Sequence, residues 1–569
     1  MWSCRPVALA LAIVLVASSC GSSDEDQAAT TTTPAAATAA TAAPAATTAA
    51  PAATTAAPVE SSDDSRYGGI YVIPMGGDPE TLSASLNFGP TSIPGCKIQE
   101  GLVRLLKGGV GVEPELAESW DISTDGMTYT FYLRQGVKWH DGEDFTSEDV
   151  KFTFDSLLPI HPASRRWLKY LESVETPDDH TVVLTLNAPF APVMRMLNCS
   201  VAAIAPAHII VDGVEMRDQV QLNQAPVGTG PFVFKEWIPG DRIVVERNED
   251  YWRGRPYLDE IVMVMVSDAS TMTLALQSGE IDYISGLHLN QEDLPQLMAD
   301  PNIDAFIPAL VPATHWLSVN HGSEPLDRVE VRRALYMAFD RQFVNDSFYA
   351  PLGASVPKNM IPDSLPVALL DDLDLTEMYP YDPAAANALL DEIGLERDSD
   401  GIRFELDILW ETGRGSWSEI AETVRANWAD IGVKVNLDPV ERVVMLERGF
   451  QQRDYDIMLQ TYTTLGDPSL GVARIYLCEP DSEAANFGNP TRFCDENVDD
   501  LFDQAAKATA FEDRQAIFNE LQVILAAEIT MFPFSNVTTM AVSNRLWDLS
   551  TPHTISEGHV GWEDVYKLP

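Results

Sequence analysis

Four cysteines, a histidine–aspartate step, a glycine turn and an acidic loop are the residues whose types and spacing could do chemistry. Cys96, Cys199, Cys478 and Cys494 remain once Cys4 and Cys20 are set aside with the N-terminal leader, and four cysteines allow three pairings. Cys478 and Cys494 close a short polar loop rich in Asn, Gly and Pro, which pairs them and leaves Cys96 for Cys199. Four reduced thiols are the alternative, and an exported chain disfavours it. No Cys-x-x-Cys or Cys/His spacing suggests zinc. His140-Asp141 could act as an acid–base pair, but Gly142 follows at once and Asp-Gly is a turn dipeptide, so the step reads as scaffold. Gly228-Thr229-Gly230 lacks the lysine and the spacing of a phosphate loop and reads as a turn into a strand. The run Glu396 to Gly401, with Asp398, Asp400 and Asp407, imitates a calcium loop. Glu396 and Asp407 are the wrong acids for its first and last ligands, so a polar turn is the expectation. There is no GxSxG, HExxH or GxGxxG, and the nine histidines are scattered. No catalytic constellation, no metal site and no cofactor are expected.

The first residues set an address. Arg5 precedes the apolar run Val7 to Ala17, which as a helix reaches about 16 Å, roughly half of a ~30 Å hydrocarbon core. That is the h-region of a signal peptide over residues 1–19 and not a membrane anchor. Ala17-Ser18-Ser19 before Cys20 resembles a bacterial lipobox, in which the cysteine is lipidated and becomes the mature N-terminus. Ordinary secretion with an incidental cysteine is the alternative. From Ala28 to Pro58 every residue is Ala, Thr or Pro. Such a stretch has no large side chain to offset its ordering entropy, so residues 20–65 read as an extended tether between lipid and body.

Behind the tether lies a body long enough for more than one lobe. The chain has 569 residues, of which 45% are hydrophobic and 21% charged, which excludes wholesale disorder and a polytopic membrane protein. Asp+Glu 85 against Lys+Arg 37 gives a net charge of −48, a surface that phosphate backbones repel, so no nucleic-acid partner is expected. Residues 69–73, 127–133, 181–186 and 243–247 read as strands, the first ended by Pro74. Ser147 reads as the cap of a helix through Leu158, and later helices are expected at 329–339, 383–393, 419–431 and 511–528. Strands alternating with helices predict a mixed α/β architecture.

Two long stretches carry a family resemblance. One runs from Pro114-Glu-Leu-Ala-Glu-Ser-Trp120 through Val137-Lys-Trp-His-Asp-Gly142 to Phe154; the other is Val227-Gly-Thr-Gly-Pro-Phe232 with Tyr251-Trp-Arg-Gly254. Supporting runs are Leu276 to Asp282, Val329 to Leu335 and Tyr381 to Ala386. From about Gly68 onward the chain resembles the family 5 extracellular solute-binding proteins that serve peptide and nickel ABC importers. The resemblance implies an α/β, two-lobed, periplasmic-binding-protein-like fold of type II, with mixed sheets flanked by helices. Lobe I would take residues 66–315, with an extra subdomain at about 88–222, and the returning residues 536–569; lobe II would take 316–535. The crossings fall near Trp316 to Asn320 and Phe532 to Asn536. It also implies a monomeric receptor without enzymatic activity, outside the cell membrane, whose partners are a small solute, most simply an oligopeptide, and an ABC permease.

In peptide-binding members of that family an aspartate, three residues before an Asp-Pro, receives the peptide ammonium group. Anchoring on Asp467-Pro468 puts Thr464 at that place, and a hydroxyl supplies no anion, unless Asp467 substitutes by a local shift. Trp410, Tyr462, Trp316 and Trp417 offer apolar walls for a ligand, and Arg414 offers a carboxylate partner. Each also has a core or surface reading. Two rivals stand beside the peptide receptor: the same fold holding an oligosaccharide or other non-peptide solute, and a secreted hydrolase. The lipid reading is testable directly. Cys20→Ala should release the protein from the membrane fraction without unfolding it, and sedimentation of the variant with membranes after an alkaline wash would reject that reading.

Overall fold

Tyr71, Ile73 and Met75 alternate into the interior along β1 (Ile70–Met75), which runs on through Pro74 instead of ending there. β1 is an edge strand, so no neighbouring strand demands the N–H that proline lacks. The computed structural model describes residues 65–568 apart from 88, 107–110, 163, 286–287, 290–292, 307–312, 350–353, 364, 413, 415, 479–487, 538–539 and 550–560. The leader, Cys20 and the Ala/Thr/Pro stretch lie outside the described residues.

After α1 (Ser92–Ile98) come β2 (Ala117–Ile122), β3 (Thr128–Leu133), α2 (Ser147–Phe152), β4 (Leu171–Asp178) and β5 (Thr181–Leu186). The cap of α2 is Thr146 and not Ser147: the Asp149 carboxylate accepts from the Thr146 N–H at 3.0 Å, while Ser147 donates to the Asp178 carbonyl. Next follow β6 (Phe232–Ile238), β7 (Arg242–Arg247), β8 (Glu260–Met265) and β9 (Ala313–Val319). The chain continues through α3 (Val329–Met337), β10 (Phe404–Glu411), α4 (Trp417–Ala429), β11 (Val433–Val440), β12 (Ile457–Thr463), α5 (Glu496–Lys507), α6 (Phe511–Glu528) and β13 (Met531–Val537).

Three larger sheets result. The first has the order β1-β8-β7-β6, parallel only between β1 and β8; the second is antiparallel, β2-β3-β5-β4. The third, β11-β10-β12-β9-β13, is mixed: β10 runs parallel to β11 and β12, and β9 runs antiparallel to β12 and β13. Each sheet backs its own apolar cluster. Trp547, Trp562 and Val565, near the C-terminal end, join Tyr71 in the cluster of the first sheet. Cys96–Cys199 and Cys478–Cys494 are both disulfide-bonded, in the pairing the sequence suggests.

The long motifs meet around buried Glu100. Its carboxylate accepts from the Thr229 hydroxyl, the Tyr251 hydroxyl and the Trp252 indole, each at 2.8 Å. His140 closes the same region: its Nε2 lies 2.9 Å from the Gly230 carbonyl, and burial lowers its pKa to about 4. Asp141 pairs with His208, at 2.7 Å, and not with His140. A Cβ at Gly228 or Gly230 would overlap the Ile98 carbonyl, which is why glycine stands at both. Asp398 closes the acidic 396–407 loop as a turn, accepting from the Asp400 and Ile402 N–H groups, while Asp407 sits on β10 against Asn436.

Burial, with the nearby Glu100 charge second, pushes Glu115 up to about 8 from its ordinary 4.5. Between those values the folded state holds a proton that the unfolded chain has released. Stability contributed by this group is therefore full below about pH 4.5 and lost as pH rises to about 8. Melting curves of the wild type and Glu115→Gln from pH 5 to 8 test this. The amide can still accept from the Gly101 N–H but cannot ionise, so the variant should lose part of the downward slope. Equal slopes would reject the assignment.

Candidate functional site

The ends of the parallel strands of the third sheet define an edge. Glu411 ends β10, Val440 ends β11 and Thr463 ends β12, while β9 starts and β13 finishes beside them, with Ala313 paired to both Thr463 and Val537. Crevices beyond the carboxyl ends of parallel strands are the usual ligand sites of such sheets. Of the candidate residues, Arg414, Trp417, Thr464 and Asp467 lie in the segments that leave this edge.

His315, which the sequence reading passed over, is the centre of what gathers there. Its Nδ1 lies 2.7 Å from the Thr461 hydroxyl, and its ring meets Tyr349, Phe534 and Trp417 at centroid distances of 4.8, 5.7 and 6.2 Å. Burial first, and the Arg414 charge second, lower its pKa to about 3, so it is neutral at physiological pH. The Arg414 charge also helps burial to lower His288, after the first sheet. Arg414 Nε donates to Glu411 at 2.9 Å, but Arg442 shares the same carboxylate at 3.0 Å. Arg414 thus brings a guanidinium to the edge, a group that suits a carboxylate-bearing ligand.

Trp316, Trp410 and Tyr462 are 1, 3 and 3% exposed and belong to the large apolar cluster, so their rings are core. Trp417 is also buried in that cluster, but its ring carries the Arg414 guanidinium at 5.6 Å and its indole N–H donates to the Tyr349 hydroxyl. Neighbours on a strand face opposite sides. Trp316 and His315 are both buried, His315 against the Tyr349, Phe534 and Trp417 rings of the same large cluster.

Thr464 is buried and makes a local turn: its hydroxyl accepts from the Gly466 N–H and its carbonyl from the Asp467 N–H, both at 3.1 Å. Asp467 accepts from the Ser469 N–H at 2.9 Å and from Arg514 Nη2 at 2.8 Å. Arg514 in turn donates from Nε to the Ala505 carbonyl, tying the turn to the junction of α5 and α6. Glu411 and Asp467 are thus both already held by arginine.

Residues 111–482, well over half of the chain, match the bacterial extracellular solute-binding proteins, family 5. The chain belongs to that family. It is 30% identical over 484 residues to heme-binding protein A of Haemophilus influenzae, covering 81% of this chain and 85% of that one. To the dipeptide-binding protein of Escherichia coli K12 it is 29% identical, over 79% and 85% of the two chains. Among solved structures, an ABC transporter-associated periplasmic binding protein of Helicobacter pylori in complex with the peptide STSA superposes with a TM-score of 0.73. That match has 26% identity, over 88% of this chain and 98% of the other. The fold is therefore the family 5 periplasmic-binding-protein fold, a mixed α/β architecture, and the relatives are named as binding proteins and not as enzymes. Among the described residues no helix is long and apolar enough to cross a membrane.

The Asp467–Arg514 pair makes a sharp prediction, because both side chains are only about a tenth exposed. Removing one partner of such a pair strands the other charge at a cost of about 3–5 kcal/mol. Asp467→Ala should lose roughly 3 kcal/mol in a denaturant titration. A loss near that of a surface pair would show that the two charges are solvated.

Proposed function

We propose that this family 5 protein is a lipid-anchored receptor on the outer face of the cell membrane that captures a peptide-like solute and delivers it to an ABC permease. Residues 66–315 with the returning 536–569 form one lobe, including a subdomain at about 88–222, and residues 316–535 form the other. Closure about the β9 and β13 crossings encloses the solute and removes it from water, which is where a non-catalytic receptor obtains its affinity. The protein works as a monomer and performs no chemistry on its cargo.

The observation that carries the reading is the positive charge of Arg414, set beside the Trp417, Tyr349 and His315 rings at the carboxyl edge of the third sheet. That edge offers a solute carboxylate a guanidinium and its neighbouring side chain an aromatic wall. It offers an ammonium group much less: Thr464 stands where peptide-binding members have an aspartate, and Asp467 is engaged with Arg514. This one departure also supports the second reading, a solute that is not a peptide, and one relative is named for heme binding.

Calorimetric titration with trialanine and N-acetyl-trialanine, on protein unfolded and refolded to remove bound solute, separates the two. Losing one neutral hydrogen bond costs about 0.5–1.5 kcal/mol, so acetylation should weaken binding by about tenfold or less. A loss above about a hundredfold would mean that a buried carboxylate meets the ammonium after all. Binding of neither form would give the lead to the non-peptide solute.

A further inference from the structure

The turn carrying Thr464 and Asp467 is also held from outside its own sheet. Arg195 lies in the single turn Val193–Leu197, whose Val193, Met196 and Leu197 are buried in the cluster of the second sheet. Its carbonyl accepts from Asn198 Nδ2 at 2.7 Å, and the next residue, Cys199, is bonded to Cys96, so the backbone presenting Arg195 is fixed. From there Arg195 Nε donates to the Leu465 carbonyl at 2.5 Å.

The fit is close. Leu465 and Gly466 both take left-handed backbone, at φ 50 and 70, and a Cβ on Gly466 would overlap the Arg195 guanidinium. Leucine adopts that conformation only where its surroundings impose it. Here Leu465 packs on the second cluster, which Leu470 and Ala506 enter. The Ala191 N–H donates to the Ala506 carbonyl at 2.8 Å along the same seam.

We propose that Arg195 is a positioning residue for solute capture: without touching the solute, it holds the Leu465 carbonyl and so sets the turn from which Thr464 and Asp467 border the solute edge. The inference rests on the proposed receptor function, and its test has one arm independent of any ligand. The variants are Arg195→Ala, Arg195→Lys, Gly466→Ala and the Arg195→Ala/Gly466→Ala double. Arg195 belongs to one proposed lobe and Leu465 to the other, so hydrogen exchange reads the Gly466 and Asp467 amides in the free protein and with saturating trialanine, and calorimetry reads trialanine affinity.

Arg195→Ala should speed exchange of both amides about tenfold and weaken trialanine about tenfold, the scale of one charge-assisted hydrogen bond. The thermal midpoint of the free protein should move by no more than about 2 °C. Lysine can still donate to the carbonyl, so Arg195→Lys should stay within about threefold of wild type. Gly466→Ala should reproduce the loss by displacing the guanidinium, and the double variant should be no weaker than Gly466→Ala alone.

Unchanged exchange in Arg195→Ala overturns the proposal, and so does faster exchange with unchanged trialanine affinity. If Arg195→Ala does not fold, the lysine and Gly466→Ala variants decide by the same criteria. If the wild type does not bind trialanine, the peptide reading fails, and exchange alone decides whether Arg195 sets the turn.

Discussion

Strand β9 is hydrogen-bonded along both edges, to β12 on one side and β13 on the other, and every part of the candidate site is placed relative to it. An interior strand cannot shift by one residue without turning its whole core face to the other side. That constraint holds Trp316 in the core and His315 against Tyr349, Phe534 and Trp417. The irregularity in the β9–β13 ladder falls between these same two residues. The two segments expected from sequence to cross between lobes are therefore direct neighbours.

Electrostatics at the edge follow from that placement. With burial and Arg414 both disfavouring protonation, His315 is a neutral donor or acceptor toward Thr461. Two acids here are already paired: Glu411 is shared by Arg414 and Arg442, and Asp467 is turned to Arg514. A protein with 85 acidic residues thus sets one of its 37 basic side chains, Arg414, at this edge. Its net charge would steer anionic solutes away at long range, and within a Debye length the local guanidinium decides.

Local chemistry was readable where it is self-contained. Period-two alternation located β3, β5 and β7 to within a residue, helix α6 came out at its full extent, and loop composition paired the cysteines. What the sequence hid was tertiary. Pro74 is allowed inside β1 by the position of that strand at a sheet edge, which no local pattern states. Thr146 outcompetes Ser147 as a cap because Ser147 is drawn off by the Asp178 carbonyl. The role of Asp467 was obscured because its partner Arg514 comes from another helix, far along the chain. The motif runs read as scaffold, and their convergence on Glu100 gives the reason: a buried carboxylate needs several donors, and they come from separate stretches.

The packing of Trp547, Trp562 and Val565 beside Tyr71 bears on how the molecule comes into being. Tyr71, in the first strand of the body, and Val565 share one apolar cluster, so that cluster closes only once both have been made. Contacts of such long sequence separation form late, because the connecting chain must first be brought to hand. Until Trp547, Trp562 and Val565 are in place the first sheet lacks part of its apolar cover, so its packing is completed out of step with the order in which its strands are made.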